Sequence, residues 1–485
     1  MMETTLKLTA ACCAALSSLL PNVTSFPSSS TYESSVASYF TIQAASLRPA
    51  CIISPETVED VAKAVRVLTR RLPSPAEGGQ DACPFAIRSG GHAAKGNAAN
   101  IEGGVTLDLR GLNSININPN RSTVSIGVGN TWDAVYTKLD ALNLSVTGGR
   151  TAGVGVGGLS LGGGISYFGT RYGWTSDTIT NFEVVLANGS IIDANAKSNP
   201  DLHWALRGGS NNFGIVTRID LDAFEQGAIW GGSLYYPEAV WGTTAQELAK
   251  INSPDTYDEY AAVFLSWAYS RSVGTVITST MAYTKPVENP PLFAGLINLP
   301  TLSGTTSISN MTQLAVGLGN QQVYNKRQLW ATNTMISTEA IINATYHRFN
   351  ESIQAFNSIA DIGVAYTLEP FPPALYARYG DTNPFGLGTD KNQSLLVSAF
   401  SAIWTDPADD EQVERATRAL IDAIEDDARR LGSYSPFKYL NYAAPWQDPI
   451  ASYGTENVER LRKVAREVDP EGVFTHQVPG GFKIR

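Results

Sequence analysis

The sequence predicts an α+β fold organised in two lobes, and three observations lead to this prediction. The chain has 485 residues, more than a single hydrophobic core usually organises. Hydrophobic residues make up 43% of the chain and charged residues 16%, a balance typical of globular proteins. Glycine is concentrated before about residue 225 and thins out after it. We therefore place the boundary between the two lobes there.

Apolar spacing and turn residues define the elements of the first lobe. Ser54, followed by Pro55-Glu56, marks a helix start, and valines at helical spacing extend this helix to about Leu72. Asn188-Gly189 between two apolar segments indicates a hairpin. We predict helices over 54–72, 132–142 and 201–206, and strands over 85–87, 105–109, 124–128, 182–186, 191–194 and 215–221.

The second lobe has a different pattern. Alternating or continuous apolar segments predict strands over 261–267, 276–283 and 395–404. Helical periodicity is present over 339–359 and 410–431. An antiparallel sheet with helices on one face accounts for this order. We divide the chain into an N-terminal helical segment (1–46), a first lobe (47–224), a second lobe (225–435) and a C-terminal segment (436–485).

The first apolar segment, residues 6–20, has two interpretations. It is either the apolar region of a signal peptide with a weak basic flank at Lys7, or an amphipathic first helix that ends before Pro21. Eight Asn-x-Ser/Thr sequons favour the secretory pathway slightly over the cytosol. They begin at Asn22, Asn120, Asn143, Asn188, Asn310, Asn343, Asn350 and Asn392.

Charge and composition exclude several classes of partner. The net charge of −10 argues against nucleic acid and against an anionic membrane surface. No later segment is apolar over the roughly 18 residues that a membrane-spanning helix needs. The four cysteines, Cys12, Cys13, Cys51 and Cys83, have no zinc-site spacing, and we predict no metal site.

Two glycine-rich segments are the strongest functional signals. In the first, an apolar strand leads into Gly90-Gly91 and ends at His92. Glycine adopts positive φ and lets backbone N–H groups approach a ligand closely, which is how a protein binds a pyrophosphate without lysine. The second segment, 148–164, has nine glycines in 17 residues, so we expect no regular helix or strand there. A tight loop packed without any ligand is the alternative interpretation of this second segment.

The ordered set of motifs resembles a known family over nearly the whole chain. It is similar to the FAD-linked oxidases of the vanillyl-alcohol oxidase superfamily, and within them to the berberine-bridge-enzyme-like branch in its fungal form. The resemblance implies a PCMH-type FAD-binding domain, an antiparallel-sheet substrate domain and a C-terminal segment that returns to the FAD lobe. The motifs are Ile87-Arg88-Ser89-Gly90-Gly91-His92, 153–164, Arg171-Tyr172-Gly173, Gly208-Gly209, 212–217, 439–442, 469–474 and 479–482.

The resemblance also implies roles for individual residues. His92 matches the histidine that binds the flavin 8α-methyl group covalently, and Tyr442 matches a tyrosine that can act as the catalytic base. Such a base needs a positive charge or hydrogen bonds to lower its pKa from about 10. The expected cofactor contacts are Arg88, Ser89, Gly90, Gly91, His92, Gly153, Gly155, Gly157, Gly158, Ser160, Gly214, Val216 and Asn441.

Three positions refine this expectation. Thr151 stands where bicovalent relatives have a cysteine that bonds flavin C6, so we expect attachment through His92 only. Ala444 stands where many relatives have an aspartate, which removes a hydrogen bond from that position. Val154 matches the position that gates oxygen, where a valine goes with oxidase activity.

The resemblance also implies a disulfide bond between two of the cysteines. Relatives link a cysteine of the N-terminal helix to one just before the glycine–histidine loop, which matches Cys83 with either Cys12 or Cys13. Such a bridge would mean that the N-terminal segment is retained, and it would favour an oxidising compartment. Four buried free thiols are the alternative.

Several residues near these motifs have two interpretations. Arg150 either faces substrate or caps the glycine loop, and Trp446 either lines the pocket or packs in the core. If 439–442 is a strand, Tyr439 faces away from Tyr442. We expect Tyr172 to pack beneath the FAD loop. The remaining histidines, His203, His347 and His476, are expected to be structural.

Together these expectations describe a monomeric FAD-dependent oxidase. It would transfer hydride from a small, mostly apolar secondary metabolite to flavin N5 and reduce O₂ to H₂O₂. An oxidative cyclase or a non-redox flavoprotein pericyclase is the alternative. A carbohydrate oxidase is disfavoured, because such members usually have the bicovalent linkage that Thr151 cannot form.

Overall fold

A computed structural model describes residues 2–70, 72–73, 80–388 and 392–484. Thirteen of its strands precede residue 226 and form the first lobe with the N-terminal segment. They are β1 (Thr24–Ser25), β2 (Cys51–Ile53), β3 (Leu72–Pro73), β4 (Gln80–Asp81), β5 (Phe85–Arg88), β6 (Val105–Asp108), β7 (Ile115–Ile117), β8 (Thr123–Gly127), β9 (Leu144–Ser145), β10 (Ile179–Val185), β11 (Ile191–Asn195), β12 (Ile215–Asp222) and β13 (Phe224–Glu225).

Two sheets organise this lobe. The first has the order β1-β2-β6-β5, in which β6 pairs in parallel with both β2 and β5. The second is antiparallel with the order β11-β10-β12-β8-β7, and its β10–β11 hairpin confirms the Asn188-Gly189 turn. The helices are α1 (Met2–Leu19), α2 (Ser30–Ala37), α3 (Ile42–Ala45), α4 (Val58–Leu68), α5 (Trp132–Asp140), α6 (Val156–Leu161), α7 (Gly169–Tyr172) and α8 (Pro200–Leu206).

Helix α4 begins four residues later and ends four residues earlier than the sequence predicts. The Thr57 side chain, not that of Ser54, caps it by accepting a hydrogen bond from the Asp60 N–H group at 3.2 Å. A capped N–H is one of the four donors that a helix start leaves without an intrahelical partner. Val61 and Val65 of its apolar face are buried in the first hydrophobic cluster, as their spacing predicts.

The N-terminal segment is part of the core. Helix α1 buries Leu16, Cys12 and Cys13 in the first hydrophobic cluster, which confirms the helix interpretation of this segment. A disulfide joins Cys12 to Cys83, as the resemblance implied, and a second one joins Cys13 to Cys51. The second bridge was not predicted, and the free-thiol alternative is wrong.

The second lobe is built on one nine-stranded sheet in which all pairs are antiparallel. Its central order is β17-β14-β16-β15-β20-β21-β19-β22, with β18 paired to β21. The strands are β14 (Ile229–Pro237), β15 (Ala261–Ser270), β16 (Gly274–Tyr283), β17 (Ser303–Ser309), β18 (Arg327–Ala331), β19 (Thr334–Ile336), β20 (Gly363–Phe371), β21 (Leu395–Trp404) and β22 (Tyr434–Ser435).

Helices cover one face of this sheet, and the other face meets the first lobe. Three helices, α9 (Trp241–Ile251), α12 (Glu339–Phe356) and α14 (Asp410–Arg430), share a second hydrophobic cluster with Leu265 and Leu368 of the sheet. Phe264 and Phe371 belong instead to the first cluster, because neighbouring residues of a strand point to opposite faces. The helices of this lobe are α9 (Trp241–Ile251), α10 (Ala294–Ile297), α11 (Met311–Gly319), α12 (Glu339–Phe356), α13 (Pro373–Tyr376) and α14 (Asp410–Arg430).

The C-terminal segment returns to the first lobe. Helix α15 (Thr455–Val468) packs on α8, where Arg460 forms an ion pair with Asp201 at 2.7 Å and stacks over Trp204 at 4.0 Å. A short last helix, α16 (Val473–His476), follows. Within the described ranges no helix combines the length and the apolar character needed to cross a bilayer.

Candidate active site

One large cavity of about 290 Å³ lies where the first lobe, the sheet of the second lobe and the C-terminal segment meet. Both glycine-rich segments line it. Eleven of the predicted site residues are in its wall: Ser89, Gly90, Gly91, His92, Gly155, Gly157, Gly158, Gly214, Val216, Asn441 and Tyr442. Arg88, Gly153 and Ser160 do not line it.

The two glycine segments cross in close contact. A Cβ atom on Gly90 would lie 2.6 Å from the backbone of Gly155, so both positions need glycine. The Ser89 hydroxyl fastens the crossing, since it donates to the Val128 carbonyl at 2.6 Å and accepts from the Gly157 N–H at 3.1 Å. Where the two segments cross, the backbone therefore forms part of the cavity wall; we call this part the glycine wall.

The second segment contains a short helix, contrary to the expectation of no regular structure. Helix α6 begins after Gly155 and presents Gly157 and Gly158 to the cavity. A Cβ atom on Gly158 would meet no protein atom within 4 Å. The Val156 N–H donates to the Asn130 carbonyl at 2.9 Å and the Gly157 N–H to Ser89, while the open surface above Gly158 leaves room for an anion near the helix start.

The Arg88 side chain points away from the cavity, which corrects the expectation of a cofactor contact. Because β5 is a strand, Arg88 faces opposite to Ile87 and Ser89, which line the cavity. Its buried guanidinium donates to the Ser35 carbonyl at 2.6 Å and to the Ser38 hydroxyl at 2.8 Å. Arg88 therefore fastens the N-terminal segment to the back of the glycine–histidine loop.

Two other predicted contacts lie beside the cavity. The Ser160 hydroxyl is buried and has no hydrogen-bond partner among the described residues. Gly153 adopts a φ of 83° and lies behind His92, and its N–H donates to Asp133 at 2.8 Å. Both remain predictions as cofactor contacts.

His92 is held between aromatic rings at the cavity wall. Its imidazole stacks on Phe40 with a centroid distance of 3.8 Å and an angle of 14°. Tyr324 contacts the same ring edge-on at 5.9 Å. Burial lowers the pKa of His92 to about 4, so the imidazole is neutral at pH 7. Its Nε2 atom is buried without a partner among the described residues.

Tyr442, Arg150 and Glu369 form a hydrogen-bonded cluster at the cavity, which Tyr442 and Arg150 line. The Tyr442 hydroxyl donates to Glu369 Oε1 at 3.0 Å. Arg150 Nη2 lies 2.8 Å from both the Glu369 carboxylate and the Tyr442 oxygen. The side chains come from the loop before α6, from strand β20 and from the turn at 440–442. Arg150 lines the cavity and therefore faces the substrate side.

The electrostatics of this cluster correct one expectation about Tyr442. Burial and then the Glu369 charge raise the pKa of Tyr442 well above 10, and Arg150 only partly opposes them. Burial lowers the pKa of Arg150, but the charge and hydrogen bond of Glu369 together with the neighbouring Tyr442 and Tyr167 outweigh it, and the net shift is upward. The phenol therefore keeps its proton at rest, and that proton points to Glu369.

Sequence reasoning missed Glu369. It is 4% exposed, and its Oε2 atom has no partner among the described residues. The available signal was a single carboxylate within the strand 363–371, next to Leu368, which packs into the helix-covered core. Alternation along β20 turns Glu369 toward the cavity side.

The segment 439–442 is a 3-10 turn at its end and not a strand, so the predicted orientation of Tyr439 is wrong. Tyr439 lines the cavity and meets Tyr442 edge-on at 4.7 Å. Asn441 donates to the Leu159 carbonyl of α6 at 3.0 Å and to the Tyr439 hydroxyl at 2.9 Å. Asn441 thereby fixes the C-terminal segment to the glycine wall.

The remaining candidate residues differ in whether they line the cavity. Thr151 and Val154 line the cavity. Trp446 does not; it packs beside the second cluster with Arg418 4.2 Å above its ring. Tyr172 stacks on Phe224 at 4.3 Å. Ala444 is fully buried, and its N–H donates to Gln447.

The histidines expected to be structural do not reach the cavity wall. His203 is hydrogen-bonded to the Ile179 carbonyl at 2.9 Å. His347 lies edge-on to Trp241 at 5.1 Å. His476 closes the short helix α16.

Comparison with known proteins gives two family matches. The family described as "FAD binding domain" matches residues 49–195, and the one described as "Berberine and berberine like" matches residues 438–479. A FAD-dependent monooxygenase of Emericella nidulans, sdcF, is 36% identical over 484 residues, with 98% of both chains covered. The protein named Oligopeptidase PhomG' of Diaporthe leptostromiformis is 39% identical over 94% of this chain, but the chain spans only 36% of its length.

A solved structure has the same fold. The 6-hydroxy-D-nicotine oxidase of Arthrobacter nicotinovorans superimposes with a TM-score of 0.77 at 23% identity, and the match covers 95% of this chain and 97% of that one.

Proposed function

Because the chain belongs to the berberine-bridge-like family of FAD-linked oxidoreductases, we propose that it is an oxidase of a small, mostly apolar secondary metabolite. The observation that carries this proposal is the cluster of Tyr442, Glu369 and Arg150 at the cavity wall. Oxidation of an alcohol or a C–H bond removes a hydride and a proton. The cluster supplies a destination for the proton.

The residues of the glycine wall fit FAD. Backbone N–H groups of the 89–92 loop and of α6 at Gly158 would hold the pyrophosphate, since both segments border the cavity and the surface above Gly158 is open. The unpartnered Nε2 atom and neutral state of His92 suit covalent attachment. Thr151 lacks the thiol for a second link. Bound FAD accepts a hydride at N5 and returns the electrons to O₂ as H₂O₂.

The cluster explains how a tyrosine with a raised pKa works as a base. Tyr442 would accept the substrate proton while it passes its own proton to Glu369 over 3.0 Å. No free phenolate is needed in this exchange. Arg150 stays positively charged and holds both oxygens in place. Positioned proton transfer of this kind contributes about 10²–10⁴-fold to a rate.

The cavity favours an apolar substrate with one polar group. Val154, Leu161, Ile165 and Trp330 supply apolar surface, and Trp330 lies 5.4 Å from the Tyr442 ring. Arg150 and Tyr442 present hydrogen-bonding groups at this surface. We expect the oxidised carbon and its hydroxyl to bind there.

An anaerobic titration tests the proposal. Candidate metabolites from the producing pathway are mixed with the enzyme without O₂, and the visible flavin absorption is followed. Bleaching by one of them, followed by one H₂O₂ per turnover in air, supports an oxidase. Product formation without bleaching indicates a pericyclase. Because relatives are named monooxygenases, ¹⁸O₂ is used in the aerobic reaction, and ¹⁸O in the product would overturn the oxidase assignment.

We also propose that the chain folds in the secretory pathway. Two disulfides join the N-terminal helix to the first lobe, and such bonds persist in oxidising compartments. Six of the eight sequon asparagines are exposed: Asn22, Asn120, Asn143, Asn188, Asn350 and Asn392. Endoglycosidase treatment of the protein from its native source should lower its mass. Unmodified sequon peptides together with reduced cysteines would contradict the proposal.

A further inference from the structure

Two aromatic side chains from outside the FAD lobe enclose His92. Phe40 belongs to the N-terminal segment and Tyr324 to the loop before β18. We propose that Phe40 and Tyr324 are positioning residues for flavin attachment, because they fix the plane and direction of the His92 ring at the cavity wall. This inference rests on the proposed attachment of FAD through His92.

Phe40 is fixed relative to the histidine loop. It is 2% exposed, and its N–H donates to the Gly91 carbonyl at 3.2 Å, one residue before His92. On the other side of the loop, Tyr39 lies under the Arg88 guanidinium at 3.8 Å. The ring that stacks on His92 therefore moves only with the loop itself.

Tyr324 closes the second side. Its loop pairs with the N-terminal segment through a hydrogen bond from the Ile42 N–H to the Lys326 carbonyl at 3.1 Å. The Tyr324 ring meets Phe40 edge-on at 5.1 Å as well as His92 at 5.9 Å. A Cβ atom on Gly153 would lie 2.5 Å from the Tyr324 oxygen. Gly153 thus makes room for Tyr324.

The enclosure fits the attachment chemistry. One imidazole nitrogen bonds to the 8α carbon, that carbon loses one proton, and the imidazole N–H loses another. The two electrons left on the ring system reduce O₂, which takes up both protons as H₂O₂. The attachment requires a neutral imidazole, and burial lowers the pKa of His92 to about 4, so the ring is neutral at pH 7. Orientation matters because a reacting pair held in the correct geometry reacts far faster than a freely rotating one.

Substitutions that replace the flat ring by an aliphatic side chain test this role. Phe40→Leu and Tyr324→Leu are compared with Tyr324→Phe, which keeps the ring, and with His92→Ala. Phe26→Ala, in the same N-terminal segment, and Val323→Ala, beside Tyr324, are matched controls at exposed positions. Each purified protein is denatured in acid, and the flavin that stays with the chain is measured against total flavin. The mass of the peptide that contains residue 92 locates the link.

We expect wild type, Tyr324→Phe and both controls to retain nearly all flavin on the chain. Phe40→Leu and Tyr324→Leu should contain the same total flavin but release at least several-fold more of it. Because Phe40 is buried, Phe40→Leu should also lower the melting temperature slightly. Retention equal to wild type in both leucine variants would overturn the positioning role and leave the attachment intact. Release of all flavin from wild type would overturn the attachment and the positioning role together.

Discussion

The two walls of the cavity are built in different ways. The glycine wall exposes backbone to the cavity, because Gly90, Gly155 and Gly158 have no side chain there. The other wall consists of side chains, with Arg150, Glu369 and Tyr442 brought together from three segments that are distant in sequence. A backbone wall depends on local sequence, whereas a side-chain wall depends on the assembled fold. Substitutions in the two walls should therefore affect the protein in different ways.

The largest effect is expected at the side-chain wall. Tyr442→Phe removes the hydroxyl that would exchange protons with substrate and Glu369, and should slow anaerobic flavin bleaching by about 10²-fold or more. FAD content and melting temperature should stay unchanged, because the ring is kept. The control is Tyr172→Phe, because Tyr172 stacks on Phe224 away from the cavity. Bleaching at the wild-type rate in Tyr442→Phe would remove the tyrosine from the mechanism.

A second prediction tests whether this wall is a coupled ionic unit. Arg150→Met leaves the Glu369 carboxylate buried without its partner and should lower the free energy of unfolding by about 3–5 kcal/mol. The double variant Arg150→Met, Glu369→Leu removes both charges and should recover much of that loss. Chemical denaturation of the single and double variants gives the coupling energy. Additive effects would show that the pair is not coupled.

The first lobe contains a buried neutral histidine, His203, so the stability of the protein should depend on pH. Burial, and then the neighbouring Arg207, lowers the pKa of His203 to about 4. The unfolded chain binds a proton near pH 6.5 and the folded chain does not, so stability is full above pH 6.5 and falls as the pH drops toward 4. The shift corresponds to about 3 kcal/mol.

Denaturation of wild type and His203→Gln between pH 4 and pH 7 measures this contribution. The slope of stability against pH should be smaller in the variant. Equal slopes would place the titration elsewhere in the chain.

The smallest effects on stability are expected at the backbone wall, where two glycines separate fold from cofactor binding. Gly155→Ala places a methyl group against the Gly90 backbone and should lower stability by about 1–3 kcal/mol. In Gly158→Ala the added methyl group meets no protein atom, and the residue lies in helix α6. The stability of this variant should therefore be unchanged or slightly higher. Both variants should contain less FAD. Normal FAD content in Gly158→Ala would show that the cofactor does not approach this surface.

The same contrast explains what could be predicted from the sequence. The strand–glycine–histidine segment and the second glycine segment were identifiable because their function depends on local backbone geometry. Glu369 was missed because a carboxylate in a strand says nothing about which distant residues it meets. Arg88 was misassigned because the motif was treated as a unit, although alternation along β5 turns its side chain away from Ser89.

Two further differences have local causes. Tyr439 was placed on the wrong side because 3-10 turns and strands are hard to distinguish over four residues. The bridge between Cys13 and Cys51 was not predicted, because spacing alone does not determine which cysteines pair. The strands and helices that were predicted lie within about four residues of the observed ones, since their apolar periodicity is strong. The sequence analysis did not identify β14, β17, β20, α9, α11 or α15.

The aromatic enclosure of His92 has a consequence for the order of biosynthesis. Phe40 and the histidine loop leave the ribosome well before Tyr324. Until the second lobe has been synthesised and docked, one side of the imidazole has no neighbour from Tyr324 and a path to the cavity stays open. The nascent chain thus has an interval in which a large dinucleotide has access to its site, and completion of the chain ends that interval.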